Sequence, residues 1–221
     1  MVIPERCSFD FGGLNRSMAD TIKAVIFDFG NVIATFDNDL ILQKFSKNSG
    51  HSVEEMRQRL YYDSTLPKEY ETGLISSYMF YVRVSMVCGL SMSQKEFSHA
   101  YSEKFTIIPQ TLKLLRKLGQ QPLTLGLLSN TSAGDYQIGI APIIKGIFDT
   151  ETLSFKVGAM KPAFRIYNDM LGKIGHPPHE CAYIDDIAAY ADEATALGMH
   201  GITYTTPGKL EHDLKALGVK F

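Results

Sequence analysis

The feature that most constrains this chain is a short apolar run, Ala24-Val-Ile-Phe27, which ends abruptly in Asp28 and is followed two residues later by Gly30. A four-residue run with β-branched content suits a strand covered on both faces, as in parallel sheets flanked by helices. The glycine beyond the acid predicts a sharp turn where the strand ends. In open α/β sheets ligands bind along that edge, so Asp28 is placed for chemistry. A turn-capping role fits the same residue, and both readings stand at this point.

Further along, the same grammar repeats. After Ile33 the pattern becomes helical for about seventy residues, with capping boxes at Ser52/Glu55 and Ser93/Glu96. Apolar residues recur at helical spacing in Ile75, Met79, Val82 and Met86, and again in Phe97, Ala100, Tyr101 and Phe105. This predicts an inserted unit of packed helices, whose many aromatic residues fit its core better than a substrate cavity. From Pro109 helices and strands alternate: a helix over Thr111–Leu118, a buried strand over Leu123–Leu128, then the small polar cluster Ser129-Asn130-Thr131. That cluster offers hydroxyls and amides to an anion, or simply caps a helix. A less regular section, 148–160, leads to Lys161-Pro162, where Pro162 suits the first turn of a helix carrying Ile166, Met170, Leu171 and Ile174. A cation at a helix start is badly placed against the dipole, and a nearby anion would relieve it. A strand over His179–Ile184 ends in Asp185-Asp186, followed by a small-residue helix, a short strand at Ile202–Tyr204 and a last helix. Adjacent acids at a strand end either bind a hard cation such as Mg²⁺ or cap the next helix.

Taken together, an acid, a small hydroxyl, a lysine and a pair of acids stand at four strand or helix ends, with a helical insertion after the first. In this order the sequence resembles the haloacid dehalogenase superfamily of hydrolases, on FDFGNV (27–32), LLSNT (127–131), VGAMKP (157–162) and YIDD (183–186). The resemblance runs from about Ile22 to the C-terminus. The DxGNV form and the ETG-x-IS segment at 71–76 are similar to the branch of sugar-1-phosphate phosphatases and epoxide-hydrolase N-terminal domains. It implies an α/β fold, a three-layer Rossmann-like parallel sheet core (21–37 and 107–221) with an inserted all-helical cap domain (38–106). It implies that Asp28 attacks a phosphate monoester to form an aspartyl-phosphate. Ser129 and the backbone of Asn130 would hold phosphate oxygens, and Lys161 would neutralise charge on Asp28 and the phosphoryl group. Mg²⁺ would be held by Asp28, the Gly30 carbonyl, Asp185 and Asp186.

The chain departs from the family pattern at two positions. Gly30 stands where many relatives carry a second Asp as general acid and base, a group worth about 10² to 10⁴ in rate. Tyr190 stands where many carry an Asn. Three function classes follow: a Mg²⁺-dependent phosphatase acting on a small phosphorylated metabolite such as a sugar phosphate, a carbon–halogen hydrolase, or a catalytically weak metal- and phosphate-binding protein. The second works without metal, and the adjacent acids speak against it.

Composition narrows the partners. With 45% hydrophobic residues, 21% charged and a net charge of -2, the chain is no basic nucleic-acid binder. No apolar run approaches the roughly 20 residues needed to span a bilayer. Cys7, Cys88 and Cys181 have no C-x-x-C spacing, which predicts reduced thiols in a cytoplasmic protein. The first twenty residues read as a flexible extension, with Met18 as an alternative native start. Oligomeric state is not encoded in any of these features.

Overall fold

The computed structural model describes residues 21–221, so the expectations for the N-terminal extension and Met18 lie outside the described residues. The strand β1 (Ala24–Phe27) is at the centre of a five-stranded parallel sheet of order β5-β4-β1-β6-β7, with β4 at Thr124–Ser129, β5 at Thr150–Leu153, β6 at Cys181–Asp185 and β7 at His200–Thr203. Alternation along β1 explains its unbroken apolar composition. Val25 and Phe27 face one layer with Leu125, Leu127, Ala182 and Ile184. Ala24 and Ile26 face the other with Leu128, Cys181 and Tyr183. The first layer is closed by α6 (Pro109–Leu118) and α11 (Pro207–Ala216), through Leu114, Leu115, Leu118, Leu210 and Leu214. The second is closed by α9 (Phe164–Ile174) and α10 (Ala188–Ala196), through Ile166, Tyr167, Met170, Ile174 and Ala194. Two short helices, α7 (Ala141–Ile144) and α8 (Ser154–Val157), flank β5. The core is therefore three layers, and β1 is buried on both faces as its sequence requires.

Between β1 and β4 the chain leaves the sheet through β2 (Ala34–Phe36) and returns through β3 (Phe105–Ile107), an antiparallel ribbon. The helices α1 (Asn38–Ser49), α2 (Val53–Arg57), α3 (Leu66–Glu71), α4 (Ser77–Cys88) and α5 (Gln94–Ser102) lie between these strands and enclose a hydrophobic cluster of their own. Ser52/Glu55 and Ser93/Glu96 form complete capping boxes at α2 and α5.

Several sequence expectations are corrected here. The buried face of α4 is Phe80, Val84 and Cys88, whereas Met79 and Met86 are exposed. A stripe read by hydrophobicity alone missed that the aromatic partners are on the other side, where Phe80 stacks on Tyr70 at 4.2 Å. Phe105 belongs to the ribbon, not to a helix. The section read as irregular contains β5, whose sequence TETL carries no apolar run because two of its four residues remain half-exposed. Finally, α9 begins at Phe164, so Pro162 lies before its first turn in a cis peptide with Lys161.

The inserted helices meet the sheet along a narrow seam. Ser154 Oγ donates to the Glu71 carbonyl at 2.6 Å, and the Gly134 N–H donates to the Tyr70 hydroxyl at 2.8 Å. Gly73 adopts φ +71, and a Cβ there would stand 2.2 Å from the Phe155 carbonyl oxygen. The approach is backbone to backbone and only glycine permits it.

Candidate active site

At the carboxyl edge of the sheet, neighbouring strands deliver their end residues to one place. Asp28 follows β1 and Asp185 ends β6, the adjacent strand. Lys161 comes from the loop before α9 and inserts its ammonium between them, with Nζ 2.9 Å from Asp28 Oδ1 and 2.6 Å from Asp185 Oδ2. Its third hydrogen bond goes to the Leu128 carbonyl at 3.3 Å. Lys161 is thus fully engaged and buried, and two carboxylates, not a helix dipole, account for its position.

Asp28, Asp185 and Asp186 each present an oxygen, and these atoms all lie within 4.8 Å of one another. Two buried carboxylates share one ammonium and a third, half-buried, stands beside them, which leaves a surplus of negative charge at this edge. Oxygen donors with excess negative charge are what a hard divalent cation requires, so the residues fit Mg²⁺. Asp185 also makes the capping contact that its sequence allowed, accepting from the Ile187 N–H at 2.9 Å. The two roles are compatible, since each carboxylate oxygen has two lone pairs.

The supporting residues are less evident in the sequence. Asn31, held at φ +53, donates from Nδ2 to Asp186 Oδ2 at 2.9 Å. Asparagine is one of the few side chains that tolerate this left-handed backbone, and that is the signal that could have singled it out. The Tyr183 hydroxyl donates to Asp185 Oδ2. The Tyr190 ring lies beneath Lys161, 5.2 Å from Nζ to the ring centroid, so the aromatic face adds a favourable cation contact. Asn130 clamps the Lys161 backbone, its Oδ1 accepting from Lys161 N at 2.8 Å and its Nδ2 donating to Lys161 O at 3.2 Å. Its side chain is therefore a positioning group. Ser129 ends β4 and lines a small cavity together with Gly30, Asn130 and Thr131. Gly30 is hemmed in: a Cβ there would meet the Phe36 ring at 3.2 Å and Asp28 Oδ2 at 3.8 Å. The Phe36 ring thus crowds the place of the absent second acid.

Burial raises the Asp28 pKa to about 6, with Asp185 adding to the rise and Lys161 opposing it. Burial also works against the Lys161 ammonium, but the Asp28 and Asp185 charges outweigh it, and its pKa is raised. Lysine stays charged across the working range, and Asp28 is the group that titrates. A carboxylate must lose its proton to ligate a metal. Mg²⁺ affinity, measured calorimetrically, is therefore expected to fall by about tenfold per pH unit below about 6, with one proton released per ion bound. Affinity that stays flat from pH 7 to 5 would exclude Asp28 as a ligand.

A family described as haloacid dehalogenase-like hydrolase matches residues 22–198. The D-ribitol-5-phosphate phosphatase of Bacteroides thetaiotaomicron is 28% identical over 177 residues, 75% of this chain and 83% of that protein. In fold, the chain is similar to a HAD family enzyme of Bacteroides thetaiotaomicron solved with magnesium and inorganic phosphate. That likeness has a TM-score of 0.70 and 23% identity, over 83% of this chain and 94% of the other. It is also similar to the L-2-haloacid dehalogenase of Xanthobacter autotrophicus, with TM-score 0.59 and 18% identity over 89% and 83% of the two chains. Among the described residues no helix is long and apolar enough to cross a membrane.

Proposed function

Because the chain belongs to the haloacid dehalogenase-like hydrolase family, we propose that it is a Mg²⁺-dependent phosphatase that acts on a small phosphorylated metabolite through an aspartyl-phosphate on Asp28. The observation that carries this reading is the meeting of Asp28, Lys161, Asp185 and Asp186 at one sheet edge. The name of the ribitol-phosphate relative supports a small phosphorylated substrate. The fold does not separate phosphatase from dehalogenase. The paired acids favour the phosphatase, because a carbon–halogen hydrolase has no use for Asp185 and Asp186 as a cation cradle.

In this reading Lys161 holds Asp28 Oδ1, and Oδ2 is the oxygen left to attack phosphorus. A bond forms from Oδ2 to phosphorus as the phosphorus–oxygen ester bond breaks, and the leaving oxygen takes its proton from solvent. Water then attacks phosphorus and breaks the bond to Oδ2, giving up its proton to solvent, releasing phosphate and regenerating the carboxylate. The Ser129 hydroxyl and the Asn130 N–H bind phosphoryl oxygens, and the Asn130 side chain keeps Lys161 in register. When bound by Asp28, the Gly30 carbonyl, Asp185 and Asp186, Mg²⁺ supplies further neutralisation of phosphoryl charge. The helices of 38–106 act as a cap that excludes water and selects the substrate. With Cys88 and Cys181 buried as free thiols, the protein suits the reducing cytoplasm.

Incubation with p-nitrophenyl phosphate tests the proposal. Phosphate release that requires Mg²⁺ and stops with chelator is expected. Halide release from 2-chloropropionate in the presence of chelator would overturn it, as would Mg²⁺ binding without turnover. Because Gly30 provides no acid for the leaving group, p-nitrophenyl phosphate is expected to exceed ethyl phosphate by at least about 10² in kcat. Equal rates for the two esters would mean that another residue donates the proton.

A further inference from the structure

A second polar cluster adjoins these groups, and none of the steps above uses it. Lys104, the residue before β3, donates from Nζ to Asp135 Oδ2 at 2.9 Å. Their side chains retain only 8% and 4% of their accessible surface, so the pair is held out of water. The Lys104 ammonium also stands 4.4 Å over the Tyr101 ring. Asp135 Oδ1, by contrast, is buried with no hydrogen-bond partner. An orphaned acceptor of this kind is costly to bury, and that cost is removed when a donor arrives. Both residues line a cavity of about 80 Å³ that Gly30, Ser129, Asn130 and Thr131 line as well. The cavity has room for a few water-sized groups beside the phosphate loop, but not for a sugar ring.

We infer that this cavity is a hydroxyl-reading subsite, in which Asp135 accepts from, and Lys104 donates to, a substrate hydroxyl close to the phosphorylated carbon. The inference rests on the phosphatase reading for the place of the phosphate, and it narrows the substrate to polyhydroxylated organophosphates, whether sugar or polyol phosphates. A hydroxyl both donates and accepts, which matches an ion pair with one free oxygen and spare ammonium protons. A second phosphate or a carboxylate would meet the Asp135 charge. An alkyl or isoprenoid chain would leave Oδ1 unsatisfied, and sites built to bind a hydroxyl reject analogues that lack it strongly.

The test is calorimetric binding of two phosphonates that cannot be hydrolysed, 3,4-dihydroxybutylphosphonate and butylphosphonate, to the wild-type protein with Mg²⁺. The diol is expected to bind at least about 30-fold more tightly. In the Lys104→Met/Asp135→Leu variant, which replaces the buried pair by apolar groups of similar size, the ratio is expected to fall within threefold of unity. Should that variant not fold, Asp135→Ser serves in its place, with the same expected loss of preference. Equal affinities in the wild type, no binding of either phosphonate, or a preference that survives the substitutions would each overturn the subsite. A purely structural ion pair would lower the melting temperature on substitution while leaving the ratio intact. Failure of the phosphatase reading is separate, because it shows as absent Mg²⁺-dependent turnover of p-nitrophenyl phosphate, whereas the phosphonate ratio needs no turnover.

Discussion

Replacing Asp28 by asparagine is expected to lower Mg²⁺-dependent phosphate release by at least about 10⁴-fold, because an amide cannot form the acyl-phosphate on which both half-reactions depend. Asparagine has nearly the same shape, and Lys161 keeps Asp185 and the Leu128 carbonyl as partners, so the fold should persist. The variant also carries a pH signature. Asp28 has a folded pKa raised to about 6 from 3.8, so the folded state holds its proton more tightly than the unfolded chain does. For an acid shifted in this direction, metal-free stability falls as pH rises from about 4 to about 6. Wild-type protein in chelator should show that decline in urea unfolding, and Asp28→Asn should lack this component. Residual activity within tenfold of wild type would remove Asp28 from the role of nucleophile.

The second large effect is expected at Lys161. Its replacement by methionine leaves Asp28 and Asp185 facing one another in a buried corner with no cation between them. Breaking a buried pair in this way costs about 3–5 kcal/mol. In a chain of this size that corresponds to a fall of roughly 6 to 20 °C in Tm. Exposed pairs such as Lys215–Glu211 are worth at most about 1 kcal/mol, so the contrast is measurable. Mg²⁺ should restore much of the lost stability, since a divalent cation can take over the neutralising role that the ammonium vacates. Activity should nevertheless remain down by at least about 10³-fold, because the ammonium no longer orients Asp28 Oδ1. Urea unfolding with Mg²⁺ and with chelator checks both parts. A midpoint unchanged by the substitution would mean that the acids are not coupled to Lys161.

What the sequence disclosed follows from where the chemistry sits. Asp28, Asp185 and Asp186 were legible because each ends an apolar run, and a strand buried on both faces leaves such a run as its trace. Lys161 was singled out for the wrong physical reason: the helix begins three residues later, and its partners come from two other strands. β5 and the β2–β3 ribbon escaped notice because short, half-exposed strands carry no hydrophobic period. Lys104 and Asp135 were invisible for a deeper reason. A lysine before a strand and an aspartate opening a short polar helical turn look like surface residues, and only the packing of inserted helices on the sheet takes them out of water. Asn130 was read as an anion binder on its backbone, but the clamp its side chain makes on Lys161 depends on a loop 31 residues away.

The seam between the inserted helices and the sheet has a consequence for how the pocket opens. Its fasteners are a serine hydroxyl on a carbonyl, an amide on a tyrosine hydroxyl, and a glycine pressed on a carbonyl oxygen. These three carry no net charge, and the ion pair that also crosses the seam, Lys104–Asp135, is buried where salt screens little, so added electrolyte should not loosen the hinge even where it weakens the capture of anions. The rate of product escape and the rate of substrate capture should consequently part ways as ionic strength rises, the first holding steady while the second declines.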